Sequence, residues 1–241
     1  MGALFMALGR AVLAEQHMRD FNSQELANTA WAFAVANFFS ELLFGPTFAH
    51  CLEAMDFCAS ELCQLHQWVL WHQELKLPPP LSPALQDRCR TSFCATSHWP
   101  SQSQRDVVRI LTKLGVPVED EEKTIQEGYS LDLVVVWKGE RVAIEFDGPS
   151  HFLMSDGVRL ANGATMLKHR QLRSLGWKLV AVPYWEWDKV RGSEADKCKY
   201  FLCKLKQAAS SGQPGEGNGV SDVVSSQAKP SQVCFLNLNL H

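Results

Sequence analysis

The sequence of 241 residues predicts a helical region followed by an α/β domain with a small sheet. Three observations carry this prediction. Apolar residues recur at helical spacing through the first hundred residues. From residue 129 the pattern changes to short runs of β-branched residues joined by tight turns, which are typical of strands. Helical patterns lie between and after those runs, and that alternation favours a sheet covered by helices.

The elements follow in order. Five helices are predicted in the first part, several of them bounded by a capping residue, Gly or Pro; they cover residues 4–15, 24–37, 47–55, 60–75 and 83–95. In the second part, helices are predicted at 101–114, 160–175 and 194–208, and strands at 129–137, 142–146 and 177–183. The acidic segment 119–127 is predicted to be a loop. Residues 209–241, rich in Gly, Ser, Pro, Gln and Asn, are predicted to be a disordered tail.

The helical region contains an internal repeat. Asp20-Phe21, followed by Glu25-Leu26, recurs as Asp56-Phe57, followed by Glu61-Leu62, at an offset of 36 residues. Helical pairs that repeat at this period are typical of an α-solenoid, in which each repeat buries its apolar face on its neighbours. The alternative is a chance match of four residues.

The net charge of −3 argues against a nucleic-acid binder, but the charge is unevenly distributed. Residues 159–206 hold eleven basic residues against four acidic ones, whereas residues 119–127 hold five acidic residues and one basic residue. A basic segment of this kind can bind a phosphate backbone. A solvated helix face is the alternative, and charge by itself favours that alternative.

Membrane and disulfide-rich classes are excluded. Apolar runs such as residues 134–137 are far shorter than the roughly 18 residues needed to span a bilayer. The eight cysteines include no C-x-x-C pair, so we expect reduced thiols in a reducing compartment. Residues 1–6 fit neither a secretory signal nor a myristoylation site. An organellar transit peptide would precede a helix like this one. The lack of such a segment in residues 1–6 leads us to expect that the chain is a fragment of a longer protein.

Three carboxylates are expected to meet at one edge of the sheet. Glu145 and Asp147 are two residues apart near a strand end and project to the same face, and Asp132 lies on the neighbouring strand. Converging carboxylates need a compensating cation, and Mg²⁺ accepts carboxylate oxygens together with the phosphates of a nucleic acid. The alternative is that Glu145 and Asp147 simply pair with Lys168 and Arg170.

Two further groups are candidate site residues. His151 is predicted to be a metal ligand or a general acid, with a loop-capping role as the alternative. Lys168, Arg170 and Gln171, on the following predicted helix, are candidates for holding a phosphate.

The aromatic run 183–187 has two interpretations. Tyr184, Trp185 and Trp187, if exposed, form a stacking platform for unpaired bases, worth about 1–3 kcal/mol per base. If buried, they belong to the core, and we expect that of at least one Trp.

Four segments, in order, resemble the RAP domain, a module found at the C-terminus of organellar RNA-processing proteins that include the FAST kinase-domain family. They are YSLDLV at 129–134, RVAIEFDGPSHF at 141–152, LKHRQLRSLGW at 167–177 and VPYWEW at 182–187. The resemblance covers about residues 101–206 and implies RNA binding. NSQELANTAWAFA at 22–34 resembles an octotricopeptide repeat, a helical-pair RNA-binding repeat often found upstream of RAP domains.

The RAP domain is in turn similar to the PD-(D/E)XK nuclease superfamily, which implies a restriction-endonuclease-like α/β fold. On that comparison Asp132 takes the place of the first acid and Glu145 that of the second. Asp147 stands where the superfamily has a lysine, although the Glu-x-Asp-Gly-x-x-His pattern resembles very-short-patch repair endonucleases. Lys168 is the candidate to replace the missing base.

The leading hypothesis is an RNA-binding protein that acts in the processing, stability or translation of organellar transcripts, in a mitochondrion or a chloroplast. Its domains are a helical-repeat region at 1–98, a RAP domain at 99–208 and the tail. Its partners are single-stranded RNA and other RNA-processing proteins, and no membrane. The predicted RNA-binding residues are Arg159, Lys168, Arg170, Gln171, Arg173, Lys178, Tyr184, Trp185 and Trp187.

Two rival hypotheses stay open. The first is a Mg²⁺-dependent RNA endonuclease, with the metal on Asp132, Glu145 and Asp147; its predicted catalytic residues are Asp132, Glu145, Asp147, His151 and Lys168. No cofactor is predicted if the protein only binds RNA. The second rival is a protein-interaction scaffold, which predicts that the basic side chains from Lys168 to Lys178 lie on different faces.

Overall fold

Four helices form the N-terminal part of the protein between residues 20 and 95. The structure is a computed structural model, and it describes residues 20–95, 102–190 and 192–210. The helices are α1 (Ser23–Ala36), α2 (Pro46–Glu53), α3 (Ala59–Glu74) and α4 (Pro83–Cys94). They agree with the second to fifth predicted helices, while the first, at 4–15, lies outside the described residues. Their core is aromatic and aliphatic, and its largest buried side chains are Leu26, Phe48, Leu65, Trp68 and Trp71.

The first and third helices begin in the same way, 36 residues apart. Asn22 Oδ1 accepts a hydrogen bond from the Glu25 amide, and the Glu25 carboxylate accepts one from the Asn22 amide, each at 2.9 Å. Glu61 likewise accepts a hydrogen bond from the Cys58 amide at 2.8 Å. A capping carboxylate at the third helical position satisfies an amide that has no partner within the helix. The repeated Glu-Leu pair therefore marks two equivalent helix starts.

Residues 36 apart also face each other across the contact between α1 and α3. Gln64 Nε2 donates to Asn28 Oδ1 at 3.0 Å, and Trp31 Nε1 donates to Gln67 Oε1 at 2.8 Å. Each pair joins equivalent positions of the two helices, so the helices run in the same direction and in register. The offset read from the sequence is thus a spatial alignment as well.

A mixed sheet of four strands, in the order β1-β2-β3-β6, forms the second part of the protein. β1 (Val118–Thr124), β2 (Ser130–Trp137) and β3 (Glu140–Asp147) are antiparallel neighbours, and β6 (Lys178–Pro183) is parallel to β3. The helices are α5 (Gln102–Lys113), α6 (Gly163–Ser174), α7 (Tyr184–Val190) and α8 (Glu194–Ser210). Helix α8 extends two residues past the predicted start of the tail, and residues 211–241 lie outside the described residues.

Strand alternation assigns the residues of β3 to two layers. Val142 and Ile144 pack with residues of α5 and α8, whereas Ala143 packs with Leu172 of α6. Successive strand residues point to opposite faces, so Glu145 and Asp147 lie on the same face as Ala143. The β3–α6–β6 crossover thereby places both acids under α6.

Helix α6 also joins the sheet to the helical region, because it packs on both α1 and α3. Leu167 is fully buried in the aromatic core of the N-terminal helices. A Cβ atom at Gly163 would lie 3.0 Å from the Val35 side chain, closer than an ordinary contact, so the glycine favours the present close approach of the two helices.

A buried chain of hydrogen bonds completes this joint. Gln67 Nε2 donates to the Tyr129 hydroxyl at 2.9 Å, and that hydroxyl donates to Gln171 Oε1 at 2.6 Å. Gln171 Nε2 donates back to the Gln67 carbonyl at 2.7 Å. Gln67 of α3, Tyr129 of the β1–β2 turn and Gln171 of α6 therefore form hydrogen bonds with one another, so their polar groups have partners away from water.

A second, two-stranded sheet corrects the prediction of a helix over 160–175. β4 (Phe152–Ser155) and β5 (Val158–Ala161) form an antiparallel hairpin, preceded by a 3₁₀ turn at Pro149–His151. The turn residues Asp156 and Gly157 have φ of 51° and 76°, as a two-residue hairpin turn requires. Helix α6 begins only after Asn162, whose side chain accepts a hydrogen bond from the Thr165 amide at 2.9 Å.

The predicted acidic loop at 119–127 is also wrong over most of its length. Residues 118–124 form β1, which pairs with β2 at the edge of the sheet. An edge strand tolerates charged residues, since one side faces water and charge discourages pairing with another chain. Arg141 Nε donates to Glu119 Oε2 at 2.7 Å and compensates one of these charges.

No helix within the described ranges is long and apolar enough to cross a bilayer.

Candidate nucleic-acid interface

Glu145 lies at the end of β3, beneath α6, with only 3% of its surface exposed. Lys168 Nζ, on α6, donates to Glu145 Oε2 at 2.5 Å. The other carboxylate oxygen has no hydrogen-bond partner among the described residues. Burial, together with the nearby carboxylates of Asp132 and Asp147, raises the pKa of Glu145 to about 7 against the opposing effect of the Lys168 ammonium.

Asp147, two residues along the same face, is held by two histidines. His151 Nδ1 lies 3.0 Å and His169 Nε2 3.4 Å from Asp147 Oδ1. Burial by itself would raise the pKa of this carboxyl, but the hydrogen bonds and charges of the two histidines outweigh it and lower the pKa to about 2. Asp147 is therefore a buried anion. The His151 ring, in contrast, is 42% exposed.

The predicted three-carboxylate magnesium site is not formed. Asp132 Oδ2 accepts a hydrogen bond from the Phe146 amide at 2.7 Å and links β2 to β3. Glu145 is paired with Lys168, and Asp147 with its histidines. No group of three His, Cys, Asp or Glu side chains within the described ranges has the arrangement of a metal site. The alternative of simple ion pairing is correct for Glu145 and wrong for Asp147, which Arg170 does not contact.

The basic stretch does not form one phosphate-binding surface. Lys168 binds Glu145 at the end of β3, whereas Lys178 binds Glu140 at its start, five residues and roughly 17 Å away along the strand. Arg173 is exposed on α6, and burial of part of its side chain lowers the pKa of its guanidinium. Lys168 and Lys178 therefore lie apart, and this dispersal is what the scaffold hypothesis predicts.

Arg170 has a different set of partners, all in the helical region. Its Nε donates to both oxygens of Glu74, at 2.9 and 3.2 Å. Its terminal nitrogens donate to the Ala34 and Val35 carbonyls at 2.6 and 3.2 Å. These carbonyls lie in the last turn of α1, where the Ala34 oxygen also accepts a hydrogen bond from the Asn37 amide at 3.2 Å. The guanidinium therefore caps the end of that helix while holding α6 against it.

Two other predicted RNA-binding residues are buried. Gln171 is 1% exposed and is occupied by Tyr129 and Gln67. Trp187 is 2% exposed, with its ring against Phe201 and beneath the Lys197 ammonium. The expectation that at least one Trp of the 183–187 run belongs to the core is confirmed for Trp187.

The other aromatic residues form an accessible cluster at the start of α7. Phe152 and Trp185 have ring centroids 4.3 Å apart in a T-shaped arrangement, and Tyr184 lies 5.2 Å from Trp185. The Arg159 guanidinium sits 5.3 Å from the Trp185 ring centroid, and its Nε donates to the Tyr184 hydroxyl at 3.3 Å. Cation–π contact holds this exposed arginine in a defined position. All four residues are only partly buried or exposed.

The outer face of the hairpin is apolar and exposed, and sequence reasoning missed it. Leu153 and Leu160 are cross-strand partners, 60% and 52% exposed, and Val158 lies on the same face. Hairpin residues supply four of the seven large apolar side chains that the described residues expose. The signal was an Asp-Gly pair between two short runs rich in apolar residues. Arg159 follows Val158 along β5, so it lies with Tyr184 and Trp185 on the opposite face of the hairpin. We call Leu153, Val158 and Leu160, together with Arg159, Tyr184 and Trp185, the hairpin surface, which covers both faces of the hairpin.

Hydrogen bonds attach this hairpin to the histidine–aspartate pair. The Asn162 amide donates to the His151 carbonyl, and Asn162 Nδ2 donates to the Ser150 carbonyl, each at 2.8 Å. Asn162 therefore closes the base of the hairpin on the turn that carries His151. The hairpin surface and the exposed His151 ring belong to one continuous segment of chain.

Fold and site together define an α+β protein in which aligned helices pack on a small mixed sheet with a projecting apolar hairpin. Residues 144–205 match the family model of the RAP domain, which confirms the resemblance for this part of the chain. The chain is similar to "RAP domain-containing protein, chloroplastic" of Oryza sativa subsp. japonica. The identity is 30% over 195 aligned positions, which cover 76% of this chain and 29% of the relative. The chain thus spans less than a third of the length of that relative.

Proposed function

We propose that this chain binds single-stranded RNA and that the hairpin surface is where the RNA lies. The observation that carries the proposal is an exposed apolar hairpin packed on two accessible aromatic rings, with an arginine fixed over them. An exposed apolar patch on a folded protein indicates a binding surface. Aromatic rings beside a cation are the combination that binds unpaired bases and phosphates together.

Different side chains of the hairpin surface would contact the bases and the phosphates of the RNA. Unpaired bases would contact the accessible parts of the Tyr184 and Trp185 rings on one face of the hairpin. The apolar side chains of Leu153, Val158 and Leu160 would contact bases on its other face. Base stacking on one aromatic residue is worth about 1–3 kcal/mol, and Arg159 would hold a phosphate oxygen. Arg170, Gln171 and Trp187 are left out of this surface, since they serve the joint and the core.

The family match supports a role in organellar RNA metabolism. The matched segment contains the hairpin, α6, β6 and α7, so it includes the whole hairpin surface. Resemblance to RAP proteins implies RNA, and the chloroplastic relative supports an organelle as the compartment, either a chloroplast or a mitochondrion. We propose processing, stability or translation of organellar transcripts as the process.

The helical region would extend the RNA path. We propose that α1–α4 are two octotricopeptide-like repeats of an α-solenoid, with domain limits at 1–98, 99–208 and 209–241 as predicted. The in-register contacts between Asn28 and Gln64 and between Trp31 and Gln67 support stacked repeats. Because α6 packs on both repeats, RNA leaving the helices would reach the α/β domain without a flexible gap.

A second candidate function is protein docking on the hairpin. The dispersal of the basic side chains favours it, since a protein partner needs apolar area more than positive charge. Affinity for RNA distinguishes the two functions.

The test is fluorescence anisotropy of a labelled single-stranded RNA at several salt concentrations. We expect binding that weakens as salt rises, and about a tenfold loss of affinity in Trp185→Ala and in Arg159→Ala, since about 1.4 kcal/mol is tenfold. Arg109→Ala, which removes an arginine that is ion-paired with Glu194, is the matched control and should bind normally. Absent binding, or affinity independent of salt, would overturn the proposal in favour of protein docking.

A further inference from the structure

We propose that His151 and Asp147 form an acid–base pair that cleaves the bound RNA without a metal ion, through attack of a ribose 2′-hydroxyl on the adjacent phosphate. The inference rests on the proposed RNA binding and goes beyond it by assigning a reaction. It concerns a different chemistry from the magnesium-dependent nuclease predicted from the sequence, because the nucleophile comes from the substrate itself.

The geometry of the pair is that of an oriented general base. The Asp147 carboxylate accepts from His151 Nδ1 at 3.0 Å, and an acceptor on one ring nitrogen fixes the tautomer with its lone pair on the other. Asp147 is 2% exposed, so its charge is poorly screened by water. The histidine ring is 42% exposed and can reach a bound molecule. This is the relation between a buried orienting carboxylate and an accessible base.

A second histidine lies beside Asp147. His169, on α6, contacts the same carboxylate oxygen at 3.4 Å, and its side chain is 13% exposed. The carboxylate is ionised at neutral pH, since its pKa is lowered to about 2 by the two histidines against the effect of burial. An ionised orienting group stabilises the imidazolium that forms when His151 accepts a proton.

Substrate delivery follows from the chain path. His151 ends the 3₁₀ turn, and Phe152, the next residue, begins the hairpin and contacts Trp185. RNA lying on the hairpin surface would thus pass beside the imidazole.

The reaction balances with RNA and water alone. His151 Nε2 takes the proton of the ribose 2′-hydroxyl, and the 2′ oxygen forms a bond to the adjacent phosphorus. The bond between phosphorus and the 5′ oxygen of the next nucleotide breaks, and water protonates the departing oxygen. The imidazolium then returns its proton to solvent. The products are a 2′,3′-cyclic phosphate end and a 5′-hydroxyl end.

The experiment incubates the full chain with a labelled, mixed-sequence single-stranded RNA in EDTA and identifies the product ends. We expect slow cleavage that yields 2′,3′-cyclic phosphate ends and none on the all-2′-deoxy strand. Cleavage that appears only when Mg²⁺ is added would overturn the proposal in favour of a metal-dependent reaction. RNA that binds and stays intact would overturn this inference and leave the proposed function standing, whereas absence of binding would overturn both.

Variants separate chemistry from structure. His151→Ala should lose at least 90% of the cleavage rate while binding RNA normally, and imidazole added to the buffer should restore part of it. His50→Ala, an exposed histidine on α2, is the matched control and should cleave as the parent does. Asp147 is a positioning residue, so Asp147→Asn should lower kcat with little change in KM. Full activity of His151→Ala would overturn the assignment.

Discussion

Glu145 is a buried carboxyl group with a lysine on one oxygen and no hydrogen-bond partner among the described residues on the other. Its environment opposes ionisation more than Lys168 favours it, so the pKa of the folded state is raised to about 7 from the ordinary value of 4.5. Because the pKa of Glu145 differs between the folded and unfolded states, the free energy of unfolding depends on pH.

We predict that this carboxyl makes the protein less stable as the pH rises from about 4.5 to 7. Over that range the unfolded chain releases the proton and the folded protein retains it, so the contribution of Glu145 is complete below pH 4.5 and is lost through pH 7. Urea unfolding at pH 5 and at pH 7.5 measures the change. Glu145→Gln should show a smaller loss of stability over this interval than the parent, and parallel behaviour of the two proteins would contradict the prediction.

The sequence identified the charged residues that lie near Glu145, but it did not show which of them pair with one another. The i, i+2 spacing of Glu145 and Asp147 was enough to place both on one face of a strand. Which cation each acid meets depends on the rotation of α6 about its own axis. That rotation is fixed by Leu167 in the helical core and by Arg170 on Glu74. Such long-range packing is not visible in a local pattern.

At the scale of elements, the hairpin β4–β5 is the part of the fold that sequence reasoning misread. Leu160 continues an apolar pattern into the following helix, so it fits the first turn of that helix as well as a strand. The decisive features are the Asp156-Gly157 turn and the Asn162 cap, which together stop the strand and start α6. Strands β2, β3 and β6 were predicted to within two residues at each end, because β-branched runs with clear turns leave little ambiguity.

We predict that the outer face of the hairpin serves binding and not folding. Leu153→Ser combined with Leu160→Ser should leave the free energy of unfolding within about 0.5 kcal/mol of the parent, as is usual for exposed positions. The affinity for single-stranded RNA should fall several-fold. Chemical denaturation and anisotropy measure the two quantities. Leu42→Ser, which changes a leucine that is 73% exposed elsewhere, is the control; a double variant that unfolds easily would contradict the prediction.

At the scale of the whole molecule, the joint between the helices and the sheet explains much of the charge that had suggested nucleic acid. Arg170 and Gln171 hold α6 against α1 and α3, while Lys178 and Lys204 pair with acids within the α/β part. Among the described residues, five basic side chains of this stretch pair with acids on other elements. A surface charge pattern cannot be inferred from a linear count, since the partners of each cation come from distant segments.

We predict that Arg170 stabilises the fold and does not contribute to RNA affinity. Arg170→Lys loses the paired contacts to Glu74 and the contacts to two helix-ending carbonyls, which a single ammonium cannot replace. The free energy of unfolding should fall by about 2 kcal/mol, the order expected when one partner of a partly buried charged network is removed. Glu74→Gln should also lower the free energy of unfolding, and its effect should not be additive with that of Arg170→Lys when the two changes are combined. An RNA affinity that falls as much as for Arg159→Ala would contradict the prediction.

The central claim is that RNA lies on the hairpin surface, and crosslinking with ultraviolet light tests it most directly. The full chain is saturated with single-stranded RNA and irradiated, and the crosslinked peptides are identified by mass spectrometry. We predict crosslinks in residues 152–161 and at Tyr184 or Trp185. These crosslinks should be lost in Arg159→Ala at the same RNA concentration. Crosslinks confined to the helices α1–α4 under saturating RNA would contradict it.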